Sequence, residues 1–432
     1  MSLIEEIMSY QNILEATKRV KSNKGAPGID KMTVNEIERY IKEHYEEIKE
    51  LVITKKYKPQ SVRRVYIPKP NGKKRPLGIP TVVDRVIQQA ISQVISPIYE
   101  KYFSEYSYGF RPNRDCHKAM SKALEYINEG YTYIIDVDIE KYFDTVNHDK
   151  LISILREHMN DSVTLHLIRS FLKAGIMEEE LIRPSLEGVP QGGPLSPLLS
   201  NIYLDKLDKE LEERGLRFVR YADDFNIFVR SKDSAKRVKE SVSSWLERKL
   251  FLKVSTEKTK IVRPKESEFL GFGFWYKEKT WKCIPLKSRK KRIKEKIKQA
   301  LIRKQAIAKP LSVTFIKLNQ IIIGWINYYR IGNMKTFLKG LGEWLRHKVR
   351  VVIIKQWKKP RTIYKNLKKL RNITKMKYTD KELLGISNAR QGLYRMCKHP
   401  TINFLLSPKI LATRKGDRPG LVNPLEYYLS KL

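Results

Sequence analysis

Two adjacent carboxylates, Asp223 and Asp224, lie between two short segments that have the pattern of β-strands. Aromatic and β-branched residues alternate with other types over 218–222 and again over 225–229, as strands favour. Because two acids at the tip of a hairpin repel each other, a shared cation would stabilise them there. An ordinary turn between strands also favours aspartate. The pair alone therefore leaves two interpretations open, a cation site and a plain turn.

A second segment with two acids, residues 134–139, also has the pattern of a strand. Successive side chains of a strand point to opposite faces, so Asp136 and Asp138 share one face and aliphatic residues occupy the other. If this strand neighbours the one that follows Asp224, an acid at its end lies beside the pair. Carboxylates are hard oxygen ligands that suit Mg²⁺. Two such ions can activate an attacking hydroxyl and stabilise a departing pyrophosphate.

A loop with three glycines, residues 188–197, lies between the two acid segments. Glycine lets the backbone approach a ligand closely, and the Gln191 side chain offers both hydrogen-bond donors and acceptors. Ser196 and Pro197 then have the pattern of a helix start. By itself this loop indicates a helix start and no particular chemistry.

The elements around these residues mix strands and helices, which indicates an α+β domain with a small antiparallel sheet. Apolar residues at helical spacing predict a core helix over 84–103. A strand–turn–strand pattern predicts a basic hairpin over 61–80. We expect this hairpin to curl over an anionic ligand, although a solvated hairpin tip has the same pattern. Further elements are predicted at 1–20, 131–139, 149–158 and 162–174.

Long basic helices are predicted after residue 285, at 287–304, 313–329 and 334–357. We therefore predict three domains, over 1–284, 285–360 and 361–432. Trp325, Tyr328 and Tyr329 recur at helical spacing, a pattern more typical of core packing than of a base-stacking face.

The charge is unevenly distributed along the chain. The net charge is +39, and the residues from 285 onward hold 37 Lys and Arg against six Asp and Glu, or +31. This density of positive charge indicates a polyanionic partner, for which nucleic acid is the usual explanation. A membrane surface is the alternative, but the aromatic residues spread through this segment are not typical of an amphipathic anchor.

Three widely separated cysteines and the first residues of the chain bear on its compartment. No Cys-x-x-Cys pair occurs, which argues against a disulfide framework and a structural zinc site. Residues 1–6 lack the apolar core of a signal peptide, and no apolar run approaches the ~20 residues that cross a bilayer. We expect a soluble, intracellular protein.

Together, these motifs resemble those of reverse transcriptases. Three segments look like the palm motifs of that family and keep its order: 138–144 (Asp-x-x-x-x-Phe-Asp), 190–197 (Pro-Gln-Gly-x-x-x-Ser-Pro) and 221–224 (Tyr-Ala-Asp-Asp). Residues 23–30 are similar to the extra fingers loop of non-retroviral members, and residues 254–260 to the palm lysine motif. Residues 269–273 are similar to the primer grip, and residues 324–329 with 356–358 to the maturase thumb of group II intron proteins. The resemblance covers nearly the whole chain.

The resemblance implies a right-hand polymerase, with fingers and palm, a helical thumb and a small C-terminal region like a DNA-binding domain. It implies that two Mg²⁺ ions are held by Asp138, Asp223 and Asp224. Asp138 is preferred over Asp136 because it lies five residues before Phe143, as the family pattern requires. Phe143 would be the steric gate that excludes the 2′-hydroxyl of a ribonucleotide.

The rest of the nucleotide site follows from the same resemblance. Lys69 and Arg75 would bind the triphosphate of the incoming dNTP by charge-assisted hydrogen bonds. Gln191 would border the nucleotide pocket. Lys258 would give a proton to pyrophosphate, with the neighbouring Lys260 as a rival.

The resemblance also implies contacts with RNA and with a primer–template duplex, through phosphates and A-form shape. The residues expected to make them are Arg63, Arg111, Arg114, Gly271, Trp325, Tyr328 and Tyr329. Residues after 360 contain one Cys and one His, and so lack the set of Cys and His ligands of the endonuclease module of some members. We therefore expect the endonuclease-lacking type, similar to the group IIC class.

The function implied is RNA-templated DNA synthesis joined to assisted splicing (maturase activity) and retrohoming of a group II intron. The expected partners are the intron RNA, an RNA template, a DNA primer or target DNA, and a second copy of the chain in a homodimer. We expect no membrane partner, and a location in the bacterial cytoplasm near the nucleoid. Two alternatives stay open. One is a splicing cofactor that mainly binds RNA, and the other is a host-adopted or retron-like reverse transcriptase in repair or defence.

Overall fold

The computed structural model describes residues 2–68, 72, 74–178, 181–183, 187–390, 392–413 and 419–432, with the side chains of 181–183 and 303 left aside. The chain forms two compact units, Met1–Ser267 and Glu268–Leu432. The predicted domain boundary between residues 360 and 361 falls inside the second unit and stays a prediction.

The first unit consists of helices packed around two small sheets. Its helices are α1 (Leu3–Ile7), α2 (Tyr10–Ser22), α3 (Ile37–Ile53), α4 (Val82–Glu100), α5 (Cys116–Asn128), α6 (Tyr142–Thr145), α7 (His148–Arg156), α8 (Ser162–Lys173), α9 (Ser196–Glu213) and α10 (Lys232–Leu250). Its strands are β1 (Val62–Pro68), β2 (Lys74–Ile79), β3 (Tyr133–Val137), β4 (Ile176–Glu178), β5 (Leu181–Arg183), β6 (Arg217–Tyr221), β7 (Asp224–Val229) and β8 (Lys260–Val262). This mixture confirms the expected α+β class.

The sheet that carries the acids has the strand order β6-β7-β3-β8, and each neighbouring pair is antiparallel. Apolar side chains of its central strands, such as Ile135, Phe225 and Ile227, are almost completely buried. Full burial of one such side chain contributes about 1.5–3 kcal/mol. The buried face therefore sets the pairing of β3 with β7, since a slip of one residue would expose it.

The second sheet of this unit has the order β2-β1-β4-β5. Strands β1 and β2 form the predicted basic hairpin, with Arg63 opposite Ile79 and Ile67 opposite Arg75. Strand β4 runs parallel to β1, and β5 returns antiparallel to β4. The sequence did not indicate β4 and β5, because three-residue strands are too short to show an alternating pattern.

The second unit places one small sheet before a set of basic helices. Its strands, in the order β11-β10-β9, are β9 (Glu268–Phe269), β10 (Phe272–Lys277) and β11 (Thr280–Pro285). Its helices are α11 (Lys287–Ala300), α12 (Arg303–Ala308), α13 (Leu311–Tyr329), α14 (Lys335–Trp357), α15 (Pro360–Thr374), α16 (Asp380–Ser387), α17 (Leu393–Met396), α18 (Pro400–Leu405), α19 (Pro408–Ala412) and α20 (Pro424–Leu429). Within the described ranges, none of the helices has both the length and the apolar character to cross a membrane.

One predicted helix of the second unit is wrong as a single element. The expected helix over 287–304 divides into α11 and α12, because Ile302 has an extended backbone, with ψ of 119°. An extended residue ends the ladder of i to i−4 hydrogen bonds. No glycine or proline occurs at this point of the sequence, so the break had no local signal.

Candidate active site

Strands β6 and β7 form a tight hairpin with the acid pair at its end. Tyr221 pairs with Asp224 across the hairpin, so Ala222 and Asp223 form the tip. Ala222 has φ of 58°, a left-handed conformation that is uncommon for a residue with a β-carbon. The hairpin is therefore confirmed, and its tip requires support from neighbouring groups.

The second acid strand, β3, lies antiparallel beside β7. Val137 is opposite Phe225, which brings Asp138, the next residue along, to the level of Asp224. Burial is the main cause that raises the pKa of Asp223, and the charge of Asp138 adds to it. Burial, followed by repulsion from neighbouring acids, also raises the pKa of Asp224, although this residue keeps an exposed surface. The acids thus act on one another, as the cation-site interpretation requires.

Lys258 brings a positive charge to these acids. Its Nζ donates to Asp138 Oδ1 at 2.8 Å, and this hydrogen bond raises the pKa of the Lys258 ammonium group. The Lys258 side chain is 65% exposed, and such exposed ion pairs contribute at most about 1 kcal/mol. Lys260 lies on β8 opposite Asp136 instead. The structure thus brings Lys258, rather than its rival, to Asp138.

The chemistry of the acids suits magnesium, although they are not gathered around one point. Among the described residues, no three or more His, Cys, Asp or Glu side chains form a group that could hold a metal ion. The donors are hard carboxylate oxygens, which Mg²⁺ prefers. A nearby cation would also lower the raised pKa values of Asp223 and Asp224. The donor set therefore fits Mg²⁺, and its binding stays a prediction.

A fully buried ion pair lies beneath the hairpin. The side chains of Arg220 on β6 and Asp208 on α9 are both 0% exposed, and Arg220 Nε donates to Asp208 Oδ1 at 2.7 Å. Arg220 Nη1 donates to Asn201 Oδ1 and to Ala222 O, each at 3.0 Å. The guanidinium thus ties helix α9 to the carbonyl of the left-handed tip residue. Sequence reasoning missed Arg220, because an arginine on an alternating strand reads as a solvent-facing side chain.

The aromatic and basic loop that precedes α5 packs against the same hairpin. Tyr108 N donates to Arg220 O, and Arg220 N donates to Tyr106 O, each at 2.9 Å. A β-carbon on Gly109 would lie 2.4 Å from Ala222 N, so this close approach requires glycine. The loop and the buried ion pair therefore hold the acid hairpin from two sides.

Arg111 and Arg114 of this loop were expected to contact nucleic acid, and the structure corrects this for Arg111. Its side chain is 3% exposed and pairs with Glu100 at 2.8 Å. Its Nη1 donates to two backbone carbonyls of the loop. All three guanidinium nitrogens are therefore used within the protein. Arg114 lies 5.5 Å from the ring centroid of Tyr108, and its contact with nucleic acid stays a prediction.

The first residues of the glycine loop (188–197) are hydrogen-bonded to the segment that carries Phe143, the expected steric gate. Val189 N donates to Phe143 O at 2.7 Å, and a β-carbon on Gly188 would lie 2.8 Å from the same oxygen. His148 Nε2 lies 2.7 Å from Gly188 O. Because a carbonyl oxygen can only accept, this ring nitrogen is the donor, and burial lowers the pKa of His148. His148 therefore positions the loop.

Later residues of the glycine loop are hydrogen-bonded to β2. Gly78 N donates to Gln191 O at 2.7 Å, and Arg75 Nε donates to Gln191 Oε1 at 3.1 Å. A β-carbon on Gly192 would lie 2.3 Å from Gly78 O. The loop is thus hydrogen-bonded to Arg75 through Gln191 and to the backbone of Phe143 through Val189. The roles of Arg75, Gln191 and Phe143 in nucleotide binding stay predictions.

Two other residues of the basic hairpin had expected roles. Lys69 lies outside the described residues. Arg63 Nη2 donates to Pro27 O at 2.8 Å, and Arg85 Nη2 donates to Ala26 O at 2.7 Å. The loop at residues 23–30, which resembles the extra fingers loop, is thus hydrogen-bonded to β1 and α4. A contact of Arg63 with nucleic acid stays a prediction.

In the second unit, the expected primer-grip turn packs against helix α13. Gly271 has φ of 82°, and a β-carbon there would lie 2.8 Å from Tyr329 Oη. Tyr328 Oη donates to Leu270 O at 2.9 Å. Tyr329 is 6% exposed, and the Trp325 ring lies 4.7 Å from it. Tyr329 is therefore a core residue, and its expected contact with RNA is corrected. The expected RNA contacts of Gly271, Trp325 and Tyr328 stay predictions.

Two family models match this chain in succession. Residues 67–274 match "Reverse transcriptase (RNA-dependent DNA polymerase)", and residues 290–371 match "Group II intron, maturase-specific domain". Protein YkfC of Escherichia coli (strain K12) is 34% identical over 299 residues, which cover 60% of this chain and 78% of YkfC. This chain belongs to the group II intron-encoded reverse transcriptases. The resemblance found in the motifs is therefore confirmed, with a reverse transcriptase domain before a maturase domain.

Other relatives of this group II intron reverse transcriptase agree with that assignment. Group II intron-encoded protein LtrA of Lactococcus lactis subsp. cremoris is 34% identical over 296 residues, or 52% of this chain and 49% of LtrA. The putative COX1/OXI3 intron 2 protein of Saccharomyces cerevisiae is 33% identical over 265 residues, or 60% of this chain and 29% of that protein. The chain thus spans half or less of these two relatives.

Among solved structures, the partial Cas6-RT-Cas1–Cas2 complex matches 57% of this chain and 43% of that chain, with 25% identity and a TM-score of 0.36. The fold class rests on the reverse transcriptase match and on the mixed helices and small sheets of the structure. The maturase match favours the intron-encoded interpretation over the retron-like one.

Proposed function

We propose that this chain copies RNA into DNA at the acid hairpin of its first unit and binds intron RNA as a maturase. The observation that supports the polymerase is that Asp138, Asp223 and Asp224 all lie at the same end of the β3–β7 pair. Arg75 lies within electrostatic reach of these acids, since its charge lowers the pKa of Asp223. The site therefore combines acids for a metal with a cation for a triphosphate.

Asp138, Asp223 and Asp224 would hold two Mg²⁺ ions, whose chemistry would be activation of the 3′-hydroxyl of the primer and stabilisation of the departing pyrophosphate. Arg220 keeps the hairpin in its left-handed form and so orients Asp223 and Asp224. Lys258, whose Nζ donates to Asp138 Oδ1, holds a proton that it can pass to the leaving group. An ammonium group has three donors, so Lys258 can contact both groups at once.

The glycine loop supports the binding of the incoming dNTP. Gln191 Oε1 accepts from Arg75 Nε and so orients the guanidinium, which would bind the triphosphate by charge-assisted hydrogen bonds. Val189 N fixes the backbone carbonyl of Phe143, and the partly exposed Phe143 ring would occupy the space of a ribose 2′-hydroxyl. The same loop thus supports both substrate binding and sugar selection.

The second unit supports binding of intron RNA. The residues from 285 onward carry a net charge of +31, and part of this segment matches the maturase-specific model. Lys and Arg that neutralise phosphates release counterions, which supplies affinity without sequence specificity. A homodimer, retrohoming and a cytoplasmic location near the nucleoid stay predictions.

The test is primer extension on an RNA template with Mg²⁺ and dNTPs. We expect extension by the wild type, its loss in Asp223→Ala, and wild-type extension by Asp233→Ala, which removes an exposed acid in the first turn of α10. RNA affinity should stay within about twofold in both variants, because the second unit is unchanged.

Two outcomes would contradict parts of the proposal. Equal loss of extension and RNA affinity in Asp223→Ala would contradict the division of tasks between the units. Tight RNA binding without extension by the wild type would instead favour a splicing cofactor that mainly binds RNA. The positive charge of the second unit is consistent with that alternative.

A further inference from the structure

A cavity of about 390 Å³ lies between α14 and the α17–α19 region of the second unit. It is lined by Glu343, Arg346, His347, Arg350, Lys398, Asn403 and Pro408. Four of these seven residues are basic or can become cationic, and one is acidic. Part of the lining, from residue 398 onward, lies beyond the maturase match at 290–371.

Arg350 forms a buried wall of this cavity. It is 7% exposed, and its Nε and Nη2 donate to Leu406 O at 3.1 and 3.0 Å. Its Nη1 donates to Asn403 Oδ1. These partners are neutral, so they fix the guanidinium in place without cancelling its charge. The wall therefore carries a permanently positive, oriented group.

The other cations of the cavity are crowded. Burial is the main cause that lowers the pKa of Arg346. Burial also lowers the pKa of His347, and the charges of Lys348, Lys398 and Arg350 lower it further. Glu343 is the one acid in the lining, and it is exposed. The charges of Glu343 and Glu426 raise the pKa of Arg346, against the larger effect of burial. Positive charges packed this closely repel one another, and an anion would relieve the repulsion.

We propose that this cavity is an anion site that takes one phosphate group, held by Arg346 and Lys398, with the fixed positive charge of Arg350 in the same lining. Guanidinium and ammonium groups are the side chains that bind phosphate best. The phosphate has two sources, the backbone of a nucleic acid and free phosphate in solution. The site does not depend on the polymerase, since all of its residues belong to the second unit.

The rim of the cavity favours the nucleic-acid source. Tyr394 is 45% exposed, and its ring lies 4.4 Å from the His347 ring. The ammonium groups of Lys348 and Lys398 lie 5.3 and 5.5 Å from its centroid. An exposed aromatic ring beside a basic groove is the usual platform on which a nucleobase stacks.

The first arm of the test measures affinity for a short RNA hairpin at several salt concentrations. The double variant Arg346→Gln/Lys398→Gln is compared with Lys365→Gln/Lys381→Gln, which removes the same charge from exposed positions of α15 and α16. We expect the cavity variant to lose about tenfold in affinity and to lower the salt slope by about one unit, the value for one phosphate. The control should lose clearly less affinity than the cavity variant, because it removes only part of the general charge of the unit.

The second arm measures the Tm of each protein in inorganic phosphate and in chloride at equal ionic strength. A ligand that binds only the folded state raises Tm, so we expect phosphate to raise the Tm of the wild type and the control, and not that of the cavity variant. Equal Tm values in chloride verify that each variant folds.

The two arms distinguish the sources of phosphate. Selective loss of hairpin affinity identifies the backbone, and a phosphate effect on Tm without selective loss identifies free phosphate. Equal affinity losses in both double variants, with no phosphate effect on Tm, would overturn the proposal and leave only the general charge of the unit. Primer extension is a readout of neither arm, so failure of the proposed polymerase would be seen separately.

Discussion

Arg220 acts at the scale of single residues, since one guanidinium joins a helix, a strand and the tip of the acid hairpin. A buried charge that loses its partner destabilises a protein by about 3–5 kcal/mol. A well-packed apolar pair of similar volume often restores the stability. Stability and hairpin support can therefore be separated at this position.

We predict that Arg220→Met lowers the free energy of unfolding by about 3–5 kcal/mol, measured by urea denaturation. The double variant Arg220→Met/Asp208→Leu should recover most of that stability and still extend primers poorly, because Ala222 O has lost its donor. As a control, Arg19→Met removes an exposed pair with Glu15 and should cost less than about 1 kcal/mol. Full extension by the stable double variant would show that Arg220 serves stability alone.

We predict that Phe143→Ala relaxes discrimination against ribonucleotides by about tenfold or more, which corresponds to ~1.4 kcal/mol. The physical reason is the removal of the ring that would meet the 2′-hydroxyl. The measurement is the ratio of kcat/KM for dNTP and rNTP. Tyr142→Phe is the matched control, since it loses a hydrogen bond to Ser200 O and keeps both rings. An unchanged ratio in Phe143→Ala would remove this residue from the gate.

At the scale of elements, the glycine loop (188–197) connects β2 to the segment that carries Phe143. Its glycines are required where backbones meet, and Gly192 has both φ of 130° and a carbonyl 2.3 Å from the place of a β-carbon. Gly215, at the end of α9, has φ of 65° and nothing within 4 Å of that place. A comparison of substitutions at these two glycines therefore distinguishes the effect of close packing from the effect of a positive φ.

We predict that Gly192→Ala raises the KM for dNTP by about tenfold, equivalent to ~1.4 kcal/mol, because the loop must move away from β2 and take Gln191 with it. Gly215→Ala should leave KM unchanged and cost only about 1 kcal/mol of stability. Steady-state kinetics on both variants checks this. Equal KM values for the Gly192→Ala and Gly215→Ala variants would show that the loop does not contribute to nucleotide binding.

The elements themselves were partly foreseeable. The amphipathic helices and the two acid strands were expected from residues near one another in the chain, and their patterns were strong. The strands β4 and β5 and the break at Ile302 left no such pattern, because pairing with distant segments and an extended residue decided them. Local propensity is a weak guide where tertiary contacts dominate.

At the scale of the whole molecule, charge and catalytic chemistry are separated along the chain. The acids that are proposed to bind metal belong to Met1–Ser267, whereas most of the excess positive charge follows residue 285. RNA affinity and DNA synthesis should therefore respond to different conditions.

We predict that RNA affinity falls steeply and linearly on a plot of log K against log salt, by about 10³-fold between ~50 and ~200 mM for six or more phosphate contacts. The reason is counterion release. Filter binding over a salt series is the measurement, and a nonionic osmolyte at equal osmolality should have little effect. A flat salt response would contradict the role assigned to the basic helices.

The sequence by itself determined the family and the order of the two domains, because these depend on motifs whose residues lie close together in the chain. The same motifs singled out the acids that are proposed to bind metal. Only the tertiary structure decided which polar and aromatic residues are internal. Arg111 and Tyr329 looked like nucleic-acid contacts and are buried. Arg220 was not singled out from the sequence, and it is held by Asp208 from another element. Burial arises from packing between distant segments, which no local pattern of residues records.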